Sequence, residues 1–206
     1  MKNLGVMFDS AMTMSSFIGM LCKSLNFQLY KIASIRQFLT TEVTRQLVTS
    51  LILSKLDYCN ALLAGVTKDK LSKLQMIQNN AARLITKKRK SEHVTPLLKQ
   101  LHWLPVEQRI VYKISLLCFK CLHKIAPSYL SDLLTLYTPN RALRSSRDTM
   151  RLNRQETNLM KCGERAFMSV GPRMWNELPL NIREAPTLAQ FKSLLKTHLF
   201  KQASIV

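Results

Sequence analysis

The sequence is short of carboxylates, of glycine and of long apolar runs, and each shortage excludes a class of function. Its 12 Asp and Glu residues are scattered, with no two adjacent, so no obvious paired-carboxylate metal site is present. Five glycines leave no glycine-rich phosphate loop, and no G-x-S-x-G nucleophile elbow occurs. No apolar run approaches the roughly 20 residues needed to cross a bilayer. At the N-terminus Lys2 is the sole basic flank and Asp9 interrupts the apolar stretch, so no signal peptide is expected. Strand-like alternation is nearly absent, with Gly5 to Phe8 the one plausible short strand. These absences lead to an all-α expectation without a catalytic centre, cofactor, metal site or membrane span.

What is abundant is positive charge. Lys and Arg total 31, giving a formal net charge of +19. Such an excess repels itself unless a polyanion neutralises it. Nucleic acid is the commonest such partner and an anionic membrane surface the next, and basicity alone does not choose between them. Hydrophobic residues make up 47% of the 206, which is globular rather than disordered composition. The five cysteines are an odd number set among apolar neighbours. They read as reduced thiols of an intracellular protein, cytoplasmic or nuclear.

Helical periodicity dominates the chain. Met14, Ile18, Leu21, Leu25, Leu29 and Ile32 recur at spacings of three and four, one face of a first helix. Thr40 or Thr41 is placed to cap a second, carried by Val43, Leu47 and Leu51. A third spans about Lys68 to Thr86 on Leu74, Ile77, Ala81 and Leu84. Pro105 suits a first helical position, Ile110, Ile114 and Leu117 continue that helix, and Pro127 is expected to stop it. Thr187 and Gln190 form a T-x-x-Q capping box before Leu188, Phe191, Leu195 and Leu199.

Two basic clusters are candidate nucleic-acid contacts. Lys87, Lys88, Arg89 and Lys90 follow the third helix directly. Lysines there also suit the helix macrodipole, so phosphate contact, a nuclear-import signal and a solvated turn all remain open. Arg141, Arg144, Arg147, Arg151 and Arg154 would share one face if their segment became helical. Arginine's planar fork binds phosphate oxygens in pairs. Fold-on-binding to a nucleic-acid backbone and a plain polar linker are both consistent with that segment. Cys118 and Cys121 form C-x-x-C near His102 and His123, but no second pair completes four zinc ligands, and structural thiols fit the apolar helix better.

Several phrases in order carry a resemblance: LGVMFD at 4–9, KLDYCN at 55–60, LQMIQNNAAR at 74–83, LHWLPV at 101–106, WNELP at 175–179 and FKSLLKTHLF at 191–200. Together they resemble the C-terminal region of the reverse transcriptase of LINE-type, jockey-like non-LTR retrotransposons, over nearly the whole chain. The resemblance implies an RNA-directed DNA polymerase fragment that starts at the exit of the palm, with Met1 an internal start. Helices of the thumb and a C-terminal tail follow. The palm aspartates of that family, in an F/Y-A-D-D turn, do not occur here, and Asp9 and Asp57 belong to other phrases.

The expected organisation is therefore a palm-exit remnant at 1–13, a helical thumb-like bundle at 14–136, a basic linker at 137–158 and a C-terminal helical tail at 159–206. The expected activity is binding of RNA, RNA–DNA hybrid or DNA through the backbone, without sequence preference, and without catalysis or a membrane partner. A helical interaction module that self-associates through exposed helix faces is the alternative, as is a decayed remnant without selected activity.

Overall fold

The fold is all-α apart from one small hairpin, as seen in a computed structural model that describes residues 1–138, 150–154 and 163–205. The strands β1 (Lys2–Asn3) and β2 (Val6–Met7) pair antiparallel across a turn in which Leu4 and Gly5 both have positive φ. Ten α-helical segments follow among the described residues. The chain divides into two compact units. The first is Met1–Arg109 with the chain end from Ala203, and the second is Ile110–Gln202.

In the first unit, α1 (Ser15–Ile35) buries Ile18, Leu25, Leu29 and Ile32, the face its periodicity predicts. Thr40 caps α2 (Thr41–Val48) by accepting the Val43 N–H at 3.2 Å. The helix continues through a π-helical stretch, Thr49–Leu53, into α3 (Ser54–Asp57). Hydroxyls bond back onto the helix where the register changes. Thr49 Oγ1 donates to the Arg45 carbonyl at 2.8 Å and Ser50 Oγ to that of Gln46 at 2.9 Å, while the Ser54 N–H reaches back to Thr49. Such back-bonding gives these carbonyls a second donor beside the backbone ladder.

Helix α4 (Lys68–Thr86) has the bounds expected from sequence and buries Leu74, Ile77, Ala81 and Ile85. Its C-terminal carbonyls are closed by a residue far away in sequence. Arg36, buried in the 3₁₀ turn after α1, donates Nε–H to Leu84 O at 2.9 Å and a terminal N–H to Ile85 O at 3.0 Å. A cation there also suits the negative end of the helix. Short α5 (Thr95–Gln100) then leads to α6 (Val106–Leu122), which starts immediately after Pro105. Glutamines stitch this junction. Gln75 accepts the Val106 N–H at 2.8 Å, and buried Gln78 donates to Leu104 O at 2.9 Å. Pro127 does not stop α6. The helix ends at Leu122, because Lys124 turns left-handed and the Ile125 N–H returns to Lys120 O at 2.8 Å.

In the second unit, α7 (Ser128–Ser131), α8 (Phe167–Asn176), α9 (Leu180–Arg183) and α10 (Leu188–Ile205) follow the rest of α6. The core holds Phe119, Trp175, Phe191, Leu195 and Leu199. Phe191 stacks between Phe119 at 4.3 Å and Trp175 at 5.7 Å between ring centroids. Thr187 accepts the Gln190 N–H at 3.2 Å, which caps α10 as expected.

The boundary between the two units falls inside α6. Most of the expected basic linker at 137–158 lies outside the described residues. Residues 150–154 are docked rather than loose. Leu152 is buried and bridges Leu136, and Asn176 clamps it from both sides, accepting its N–H at 2.9 Å and donating to its carbonyl at 2.8 Å. Trp175 adds an indole N–H to Met150 O at 2.7 Å. An apolar side chain with its backbone satisfied by a side-chain amide has every reason to stay inside.

Candidate nucleic-acid interface

The first basic cluster is an ordered turn built by the end of α4. Lys87 takes a left-handed conformation, φ 54°, and the Lys88 N–H returns to Arg83 O at 3.2 Å. That pattern terminates a helix. The chain then folds back onto two residues that sequence reasoning passed over. Arg83 donates a terminal N–H to Glu92 O at 3.1 Å. The Glu92 carboxylate accepts the Arg89 N–H at 3.1 Å and pairs with Lys88 Nζ, also at 3.1 Å.

Hydrogen bonding from the Arg89 backbone, then from Lys88, holds the Glu92 carboxyl below the usual carboxylate range. Glu92 therefore stays charged and the turn stays closed. All four cations are exposed, and among the described residues Lys88 alone of them is ion-paired. Four positive groups around one carboxylate leave a surplus that faces water. Arg83 and Glu92 carried no signal of their own, because each acts through backbone groups several residues away.

Of the second cluster, two arginines are described. Arg141, Arg144 and Arg147 lie outside the described residues. Arg151 and Arg154 are described and exposed, but they flank the extended, clamped Leu152 and not a helical turn. In an extended strand side chains alternate, so two residues three apart point to opposite faces. The helical condition for a shared face is not met between Arg151 and Arg154. Spacing suited a helix, and burial of Leu152 decided for an extended segment.

The remaining chemistry-bearing residues hold the fold. Asp9 accepts the Thr13 N–H at 2.6 Å and its hydroxyl at 3.0 Å, organising the entry to α1. Asp57 is occupied by Arg109 and receives a long bond from Asn60 at 3.4 Å. Cys118 and Cys121 are buried, and burial pushes both thiols up, away from the thiolate that zinc would need. His123 stacks on Phe119 at 4.0 Å. Among the described residues no group of three or more His, Cys, Asp or Glu could hold a metal ion. Nor is any helix among them long and apolar enough to cross a membrane.

Compared with protein-family models, curated proteins and solved structures, the chain finds no match.

Proposed function

We infer that this chain is a nucleic-acid-gripping segment of a non-LTR retrotransposon reverse transcriptase, which holds RNA, RNA–DNA hybrid or DNA by its backbone and performs no polymerisation itself. The observation that carries the binding part is the turn after α4. There Lys87, Lys88, Arg89 and Lys90 stand exposed on a loop that Arg83 and Glu92 keep folded. A preorganised cationic turn loses little conformational freedom when phosphates arrive. Phosphate contacts of this kind position a strand without reading its sequence. The family part rests on the ordered phrases, from LGVMFD to FKSLLKTHLF.

Filter binding with RNA, hybrid and duplex DNA at two salt concentrations tests the reading. Affinity is expected to fall steeply with salt and to vary little with sequence. Replacing Lys87–Lys90 by alanine should flatten the salt slope by about 0.7–0.9 for each phosphate that is no longer neutralised. Tight binding that ignores salt, or the absence of binding, would sink it. A metal-dependent incorporation assay tests the non-catalytic part, and nucleotide incorporation by the pure chain would overturn it.

A further inference from the structure

Helix α1 is apolar twice over. Its inward face carries Ile18, Leu25, Leu29 and Ile32. Its outward face carries Met20, Phe27 and Lys31 within an arc of about 40°, with Lys23 and Tyr30 along one side. Phe27 is 56% exposed and Tyr30 73%, and Phe38, in the turn that follows, is 79% exposed. A surface helix normally turns polar residues outward, so aromatic rings there call for an occupant.

The chemistry of the face narrows that occupant. Lys31 Nζ lies 4.5 Å from the centre of the Phe27 ring. From residue 10 to residue 41 the chain has no Asp or Glu at all. Beside the helix, Met20, Ser24, Lys55 and Tyr58 line an open groove, in which Lys55 Nζ donates to Ser24 Oγ at 3.1 Å. The Tyr58 ring is fixed by its hydroxyl, which donates to Leu4 O at 2.6 Å.

A second copy of this chain is a poor fit. A two-fold contact would set Lys23 and Lys31 against the same lysines with no carboxylate between them. A bilayer surface offers anionic headgroups to the lysines but no flat rings to stack on Phe27 and Tyr30. A polyanion whose flat, apolar rings can stack meets both demands.

We propose that the outward face of α1, with the groove at Lys55 and Tyr58, is a single-strand nucleic-acid track. Unpaired bases stack on Phe27 and Tyr30, while Lys23, Lys31 and Lys55 follow the phosphates. The track rests on the nucleic-acid reading but is separate from the turn at Lys87–Lys90, which holds backbones whether paired or not. Duplex bases are already stacked on one another and gain nothing from these rings.

The test compares a labelled oligothymidylate with a blunt duplex of equal length, by anisotropy, on the full chain. The double variant Phe27→Ala/Tyr30→Ala should bind the oligothymidylate at least about tenfold more weakly, with duplex affinity and salt slope unchanged. A second variant, Phe27→Leu/Tyr30→Leu, keeps apolar area but not the rings, and should be as weak as the first. Both replaced side chains face water, and thermal melting confirms that each variant folds.

Restoration by leucine, an equal loss for duplex, or no loss at all would overturn the track. So would a variant that leaves oligothymidylate binding intact but abolishes binding to phosphatidylserine vesicles, or converts a dimer to a monomer. Wild-type chain that binds neither probe removes the nucleic-acid reading as well. Wild-type chain that binds duplex through Lys87–Lys90, with the aromatic variants unaffected, removes the track alone.

Discussion

Asp57 receives Arg109 as a fork: Nε–H donates to one carboxylate oxygen at 2.8 Å and a terminal N–H donates to the other, closing a separation of 52 residues. The pair joins the end of α3 to the first turn of α6. Both oxygens of Asp57 are thus engaged in structure, within the KLDYCN phrase.

Removing either partner is expected to destabilise the chain by about 1–3 kcal/mol, read by urea unfolding. The lower half of that range fits better, because the Asp57 side chain is 43% exposed and water screens it. Asp57→Asn should cost nearly as much as Asp57→Ala, since a neutral amide offers only one acceptor to the fork. A double-mutant cycle should return a coupling of about 1 kcal/mol. Additive effects would show that the fork contributes nothing beyond packing.

Lys124 closes α6 with φ 55°. A left-handed backbone costs a side-chain-bearing residue about 1–2 kcal/mol, which glycine avoids. Lys124→Gly should therefore stabilise the chain by about 0.5–1 kcal/mol, as a melting temperature about 1–4 °C higher. Lys113→Gly, inside the same helix and likewise exposed, should move the other way by about 1 kcal/mol. Lower stability at both positions would mean that the Lys124 side chain makes an interaction worth more than the strain.

The two lysines show where sequence reading stops. The extent of helix α4 was legible, although Ile85 and not Leu84 completes its buried stripe, and caps at Thr40 or Thr41 and at Thr187 were legible as well, because period and cap residues act locally. The end of α6 was not. Five glycines cannot supply every left-handed position, so Met12, Met14, Cys59, Lys87, His102 and Lys124 serve there, with no signature to announce them. The π-helical stretch is a local change of backbone register with no periodic signature, and the capping of α4 depends on Arg36, 48 residues from Leu84. Of the candidate interface, the cations at 87–90 were visible as a run. The fold of that turn was not, because it is made by a side chain reaching one carbonyl and a carboxylate reaching one amide. Arg151 and Arg154 kept a helical interval in a segment that burial of Leu152 makes extended.

Glu92 restrains the turn and also withholds one of its cations. Glu92→Gln removes the partner of Lys88 but keeps an acceptor for the Arg89 N–H. Nucleic-acid affinity is expected to rise, with a salt slope steeper by up to about one ion as Lys88 becomes available. The pH dependence has the same origin. Because the folded carboxyl is held below its unfolded value, the restraint is fully present above the unfolded value. It is lost as pH falls through the lowered one. An NMR titration should find the Glu92 midpoint below those of exposed glutamates, and moved up towards them in Lys88→Ala. Affinity that falls in Glu92→Gln would mean that order in the turn matters more than its free charge.

In the second unit, Gly171 faces Cys118 so closely that a Cβ there would lie 3.1 Å from Sγ and 3.4 Å from the Phe167 ring. Alanine is the better helix former by about 1 kcal/mol, but overpacking a core costs about 1–3 kcal/mol. Cys118 is fully buried and cannot swing away, so crowding should win and Gly171→Ala should destabilise. Cys118→Ala alone should also destabilise, by leaving a small cavity. The two together should cost less than their sum, because the new methyl fills the space that the sulfur leaves. The thiol gives an independent readout. Burial pushes it well above the ordinary range, so Cys118 should resist alkylation in the folded chain while the partly exposed Cys22 and Cys59 react. Gly171→Ala should speed its alkylation by loosening the packing around the sulfur. Additive energies together with an unchanged rate would place Gly171 out of touch with Cys118.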